Sequence, residues 1–201
     1  MPNAVAAKYR AFLSYSRADT AMAMHMHGLL KTFPIDKELV GRETESGSIP
    51  QKLRPIFRDR NDFDAGGALG EQTLTALDGS AALILIAAPN SAKSHYVNEE
   101  VRLFAERHPE RAIIPLIIAG APGGGAEECF PPALAAAATL ATDLRESGDS
   151  FELAPAKIVA RLIGLAPDDV FRRAERERRR QACWRWRAAA AISPGSRTST
   201  V

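Results

Sequence analysis

Cysteine is scarce in this chain of 201 residues, and the scarcity excludes one class of protein. Cys129 and Cys183 are its two cysteines, and they lie far apart with no spacing that zinc sites use. A small secreted fold held by disulfides is therefore excluded, and a reducing compartment is the expected setting.

Long apolar runs are lacking as well. No stretch approaches the roughly 20 apolar residues that a membrane-spanning helix needs, and residues 1–8 are too short for the apolar core of a signal peptide. We therefore expect a cytoplasmic protein. With 46% hydrophobic and 25% charged residues, the composition is that of a globular protein with a sizeable core.

Charge is distributed unevenly, although the formal net charge is only +2. Residues 172–187 hold eight Arg and two Glu, a net +6, which leaves −4 for the rest of the chain. We predict a basic helix over residues 166–192, followed by a disordered tail over 193–201. A solvated helix is the simplest interpretation; contact with an anionic membrane surface is an alternative, and nucleic-acid binding is a weaker one.

Strand-like and helical patterns alternate along residues 9–165, which predicts an α/β domain with an open, mostly parallel sheet. Residues 81–88 and 111–119 are apolar on both alternating faces, as expected of strands covered by helices on both sides. Pro115 removes one hydrogen-bond donor and argues for a position near a sheet edge or a bulge. Shorter strands are expected at residues 9–15 and 55–57.

Two segments are harder to interpret. Residues 33–54 are polar and punctuated by Gly and Pro without a clear period, and we interpret them as an insertion. Residues 131–144 leave helix and a short last strand as open alternatives. Ligands of open parallel sheets collect at the carboxyl ends of the strands, so the candidate site comprises segments 14–17, 58–67 and 89–100.

Glu100 is the residue whose position most needs an explanation. If its segment is helical, Val97, Val101 and Phe104 form an apolar i, i+4, i+7 stripe, and Glu100 lies inside that stripe. Because an unpaired buried carboxylate costs several kcal/mol, Glu100 must be paired, lie at the rim of a cleft or take part in chemistry. A structural ion pair with an arginine such as Arg58 is the alternative to a catalytic role.

Two further motifs carry no chemistry. Asp59, Asp62 and Asp64 do not follow the ligand order of an EF-hand loop, and residues 123–125 lack the Lys and Ser/Thr of a phosphate-binding loop. We predict no metal and no cofactor. Ser94 is placed as well for a helix N-cap as for a substrate contact.

Three segments in this order, FLSYSRAD (12–19), PIFRDRNDFDAGGALG (55–70) and SHYVNEE (94–100), resemble the Toll/interleukin-1 receptor (TIR) domain, particularly its bacterial members. The resemblance covers most of residues 9–165. It implies a flavodoxin-like fold with a five-stranded sheet, self-association with other TIR domains and, in many members, cleavage of NAD+ at the nicotinamide glycosidic bond.

The resemblance maps the signature glutamate of the family onto Glu100, as the catalytic residue, and its signature serine onto Ser94. Tyr96 stands where the family commonly has Trp. The residues that we predict to bind the substrate are Ser14, Tyr15, Arg17, Arg58, Ser94 and Tyr96, with the two arginines directed at the pyrophosphate. The predicted self-association loop comprises Arg58, Asp59, Asp62, Phe63, Asp64, Gly66 and Gly67.

The leaving group explains why one carboxylate can suffice. Nicotinamide departs neutral and needs no general acid, whereas the ribosyl carbon acquires oxocarbenium character that a carboxylate stabilises. Our main hypothesis is an NAD+ glycohydrolase that is activated by self-association and acts in signalling or defence, with NAD+ as a substrate. The alternative is a non-catalytic adaptor that signals through TIR–TIR contacts.

Overall fold

The computed structural model describes residues 7–58, 69–135, 141–145, 148–176 and 179. The strands are β1 (Ala11–Ser14), β2 (Glu43–Thr44), β3 (Gly47–Ser48), β4 (Ile56–Arg58), β5 (Ala82–Ala87), β6 (Ala112–Ile117) and β7 (Thr142–Asp143). The helices are α1 (Thr20–Thr32), α2 (Glu71–Asp78), α3 (Pro89–Lys93), α4 (His95–Arg107), α5 (Pro132–Ala135) and α6 (Leu153–Ile163). Residues 167–176 are helical as well.

Five of these strands form one sheet in the order β4-β1-β5-β6-β7, and all neighbouring pairs are parallel. This order, in which the second strand of the sheet lies outside the first, is that of flavodoxin-like doubly wound folds. The predicted fold class is therefore confirmed.

Helices cover both faces of the sheet, which explains why the central strands are apolar throughout. On one face, Leu13 and Ile84 pack with residues of α1 and α6. On the other face, Phe12 and Leu85 pack with residues of α2 and α4. All six residues of β5 are buried as a result. Since side chains alternate along a strand, Ser14 follows Phe12 onto the α4 side.

Pro115 lies in the second strand from the edge. Ile118 N donates to Ala87 O in β5 and Ile117 O accepts from Leu144 N beyond β7, so the amide position of Pro115 is directed towards β7. The ladder between β6 and β7 begins only at Leu116. Pro115 therefore lies just before the first residue of β6 that pairs with β7, and its missing N–H leaves this ladder intact.

Residues 33–54 are part of the core, and their interpretation as a polar insertion was wrong. They form the β2–β3 hairpin and contribute five buried apolar side chains to the α1/α6 face. These side chains are Phe33, Ile35, Leu39, Ile49 and Leu53. Their spacing in the sequence follows neither the helical nor the strand period, so no sequence pattern indicated that they pack in one cluster. In residues 131–144, the helix α5 and the strand β7 both occur.

The helix that begins at residue 167 packs on the α1/α6 face. Val170 and Ala174 are buried there, and Nη1 of Arg173 lies 3.2 Å from Oε2 of Glu38 and 3.5 Å from Oδ2 of Asp36. A solvated helix is therefore the wrong interpretation for residues 167–176. Most of the predicted basic helix and all of the predicted tail lie outside the described residues. Within the described ranges, no helix has the length and apolarity to cross a membrane.

We predict that Val170→Ala lowers the free energy of unfolding by about 1–3 kcal/mol, because it removes buried methyl groups from a packed core. Urea unfolding measures the change. Arg172→Ala is the matched control, since Arg172 is exposed on the same helix, and we expect a change within about 0.5 kcal/mol. Equal effects of the two substitutions would show that this helix does not belong to the folded core.

Candidate active site

The buried face of α4 includes a carboxylate among hydrocarbon side chains. The buried residues of α4 are Val97, Glu100, Val101 and Phe104, which confirms the predicted stripe. Glu100 is only 4% exposed. The neighbouring Glu99 lies on the outer side of the helix, where its carboxylate pairs with Arg102 at 2.5 Å.

Ser14 supplies a hydrogen bond to the buried carboxylate. Its Oγ donates to Oε2 of Glu100 at 2.5 Å, and the serine itself is 1% exposed. Ser14 is the last residue of β1, so this bond lies at the carboxyl edge of the sheet, where ligands of this fold class bind. This hydrogen bond offsets part of the cost of burying the polar side chain of Glu100.

Arg58 does not form the ion pair with Glu100 that we considered. Its Nη1 instead donates to Oη of Tyr15 at 3.3 Å. Tyr15 packs against the α1/α6 cluster, which lies on the opposite face of the sheet from α4. Nε of Arg58 is buried without a hydrogen-bond partner. The structure therefore divides the predicted binding residues between the two faces at this edge, with Ser14 on the α4 side.

The remaining predicted residues take local roles or lie near Glu100. Oγ of Ser94 accepts from the backbone N of Val97 at 3.3 Å, so Ser94 is the N-cap of α4. Tyr96, one helical turn before Glu100, is half-buried. Arg17 is exposed in the turn that follows β1. Their contact with a substrate stays a prediction.

Most of the predicted self-association loop lies outside the described residues. Arg58, at its start, is described, whereas Asp59, Asp62, Phe63, Asp64, Gly66 and Gly67 are not. Among the residues that the structure describes, no group of three or more His, Cys, Asp or Glu is arranged to hold a metal ion.

Asp19 also lies at this edge, although it was not among the residues that the sequence predicted for the site. Its Oδ1 accepts from Nδ2 of Asn90 at 3.4 Å, and its Oδ2 is buried without a hydrogen-bond partner. Asn90 belongs to α3, directly after β5, so the pair joins the segments that follow β1 and β5. Burial raises the pKa of the Asp19 carboxyl, and the bond from Asn90 offsets part of that rise. The sequence could not predict the contact between Asp19 and Asn90, because a polar residue just before a helix is most simply interpreted as a helix cap.

A family model for the TIR domain matches residues 49–159, which is more than half of the chain. The chain therefore belongs to the TIR domain family. The matched range includes Glu100 and begins after β1, so the contact between Ser14 and Glu100 comes from the structure alone.

One relative is a protein named NAD(+) hydrolase ApTIR from Actinoplanes sp.. It is 31% identical over 114 residues, which cover 56% of this chain and 14% of the relative. The chain thus spans only a small part of the length of that protein. A solved structure of the TIR domains of the activated Roq1 resistosome, recognising the pathogen effector XopQ, is 21% identical. It covers 55% of this chain and 57% of the solved chain, with a TM-score of 0.37.

We predict that Asp19→Asn raises the free energy of unfolding at pH 7. A pKa raised in the folded state means that the folded chain binds the proton more tightly, so ionised Asp19 costs stability at neutral pH. The gain should shrink as the pH falls through the raised pKa and vanish below the unfolded value of about 3.9. Urea unfolding at several pH values measures it.

Asp78→Asn is the control for this prediction. Asp78 lies at the opposite end of the sheet and pairs with Arg107 at 2.8 Å, so loss of its charge should bring no gain at pH 7. An Asp19→Asn chain that is less stable than the native chain at pH 7 would contradict the expected cost of the Asp19 charge.

Proposed function

We propose that this TIR domain hydrolyses NAD+ and releases nicotinamide, with NAD+ as the substrate and no resident cofactor. The observation that carries the proposal is Glu100: a carboxylate that is 4% exposed, on the core face of α4, hydrogen-bonded at the carboxyl edge of the sheet. The relative named as an NAD(+) hydrolase supports the same activity. We place this activity in the cytoplasm, in signalling or defence.

The proposed reaction breaks the bond between the ribosyl carbon and the pyridinium nitrogen of nicotinamide. The electron pair of that bond goes to the nitrogen, so nicotinamide leaves without a proton from the protein. The ionised Glu100 accepts hydrogen bonds from the ribose hydroxyls and stabilises the positive charge that develops on the sugar. Water then forms the new carbon–oxygen bond and releases one proton.

In this proposal, residues on the two faces of the sheet bind different parts of NAD+ at the carboxyl edge. Tyr96 lies one turn before Glu100 and offers an aromatic surface beside the reacting ribose. Arg17 and Arg58 supply positive charge for the pyrophosphate, and the buried Nε of Arg58 is a donor without a hydrogen-bond partner. Ser94 contributes by starting the helix that holds Glu100.

We predict that Glu100→Gln reduces nicotinamide release by about 100-fold or more, because it removes the charge that stabilises the transition state while retaining the shape of the side chain. Chromatographic measurement of nicotinamide gives the rate, and thermal unfolding reports whether the chain still folds. Glu99→Gln is the matched control on the outer side of the same helix, and it should retain turnover. Undiminished release by a folded Glu100→Gln chain would refute the catalytic assignment.

We further propose that self-association activates the site. In one copy of the chain Glu100 is 4% exposed, so a substrate as large as NAD+ must gain access through a rearrangement of this edge. The predicted self-association loop begins at Arg58, the last residue of β4. In this proposal, contact with a second TIR domain through that loop opens the site.

Activation by self-association predicts that nicotinamide release per chain rises with protein concentration. Charge reversal at Asp62 should shift the rise to higher concentration without lowering the melting temperature, because the proposed role of Asp62 is in association between copies and not in folding. Light scattering on the same samples reports the association. Constant specific activity over a range in which the mass changes would contradict activation by assembly. Association without any turnover would favour the adaptor function.

A further inference from the structure

We propose that Ser14 is a positioning residue that acts through Glu100 and does not contact the substrate. The inference rests on the proposed NAD+ hydrolysis, and it reassigns a residue that the sequence placed among the substrate contacts. It starts from one hydrogen bond, Oγ of Ser14 to Oε2 of Glu100 at 2.5 Å, between two buried side chains.

The donor is held on a rigid element. Ser14 pairs with Leu85 in β5, and the residue before it, Leu13, pairs with Ile84 on one side and Arg58 on the other. A strand with neighbours on both sides leaves the serine backbone little freedom. Glu100, in contrast, reaches its position through a flexible side chain from α4. A fixed donor at one carboxylate oxygen therefore selects one orientation of that side chain before substrate arrives.

The hydroxyl also favours the charged form of its partner. Burial alone favours a neutral carboxyl group, whereas a hydrogen bond donated to the carboxylate stabilises the ionised form. The proposed reaction uses Glu100 in the ionised form. Ser14 thus supports both the orientation and the charge that the chemistry needs.

Direct contact between Ser14 and the substrate conflicts with the same geometry. A serine hydroxyl has one hydrogen to donate, and here that hydrogen is donated to Glu100. The ribose hydroxyls would meet Glu100, with Ser14 behind it.

The test compares the steady-state kinetics of nicotinamide release by Ser14→Ala and by the native chain. We expect kcat to fall about 10- to 100-fold, the range for a hydrogen bond to a charged group, while KM changes by less than about twofold. Ser14→Thr, which keeps the hydroxyl, should recover most of kcat. If Ser14→Ala does not fold, Ser14→Cys, with a weaker donor of similar size, should show the same fall in kcat.

Ser80→Ala is the matched control. Ser80 is also buried, and its Oγ donates to the backbone O of Ala76 at 2.7 Å, at the amino-terminal end of β5. It removes a buried hydroxyl far from Glu100, so it should lower stability without changing kcat. An equal fall in kcat for Ser80→Ala would show that the loss reflects general destabilisation, and would overturn the proposal.

A kinetic double-mutant cycle with Glu100→Gln separates the remaining outcomes. If Ser14 acts through Glu100, Ser14→Ala should change the residual rate of the Glu100→Gln chain by less than about twofold. A rise in KM with unchanged kcat would mean a substrate contact, and unchanged kinetics would mean no role; either overturns the proposal. If the native chain releases no nicotinamide at all, the proposed NAD+ hydrolysis is refuted, and the catalytic role of Ser14 with it. The free energies of unfolding of the same variants would then still test the hydrogen bond between Ser14 and Glu100, because a non-additive loss of stability indicates that the two side chains interact.

Discussion

The hydrogen bond between Ser14 and Glu100 is the contact on which the candidate site depends. The apolar face of α4 must pack against the sheet for the domain to fold, and Glu100 is carried into the interior with Val97 and Val101. A carboxylate in such a place is destabilising unless a donor meets it, and the end of β1 supplies that donor. The fold and the site therefore share one constraint, the position of α4 over β1.

The two ends of the sheet differ in how their polar groups are satisfied. Within the described part of the chain, the buried side-chain nitrogen and oxygen atoms without a hydrogen-bond partner are Nε of Arg58 and Oδ2 of Asp19, both at the carboxyl edge. At the opposite end, Arg111 donates to the backbone oxygens of Asp78 and Ser80 at 2.8 and 2.9 Å. Buried groups left unpaired lower stability, so their concentration at one edge is typical of a functional site.

Sequence patterns predicted the features of the fold that follow from the local spacing of apolar residues. The two-sided apolar runs gave β5 and β6, and the helical stripe gave the inward direction of Glu100. The hydrogen bond between Ser14 and Glu100 was not predicted. The two residues are 86 positions apart in the sequence and meet only because α4 packs on the sheet. Residues 33–54 were misinterpreted for a related reason: tertiary contacts bury side chains there that no period connects.

We propose that catalysis depends on contact between the carboxylate of Glu100 and the ribose of NAD+ at the carboxyl edge of the sheet. A crystal structure of the assembled protein with an NAD+ analogue that resists hydrolysis tests this most directly. We expect an oxygen of Glu100 to lie within about 2.6–3.2 Å of a ribose hydroxyl. An analogue bound elsewhere, with the Glu100 carboxylate still buried and remote from it, would contradict the claim.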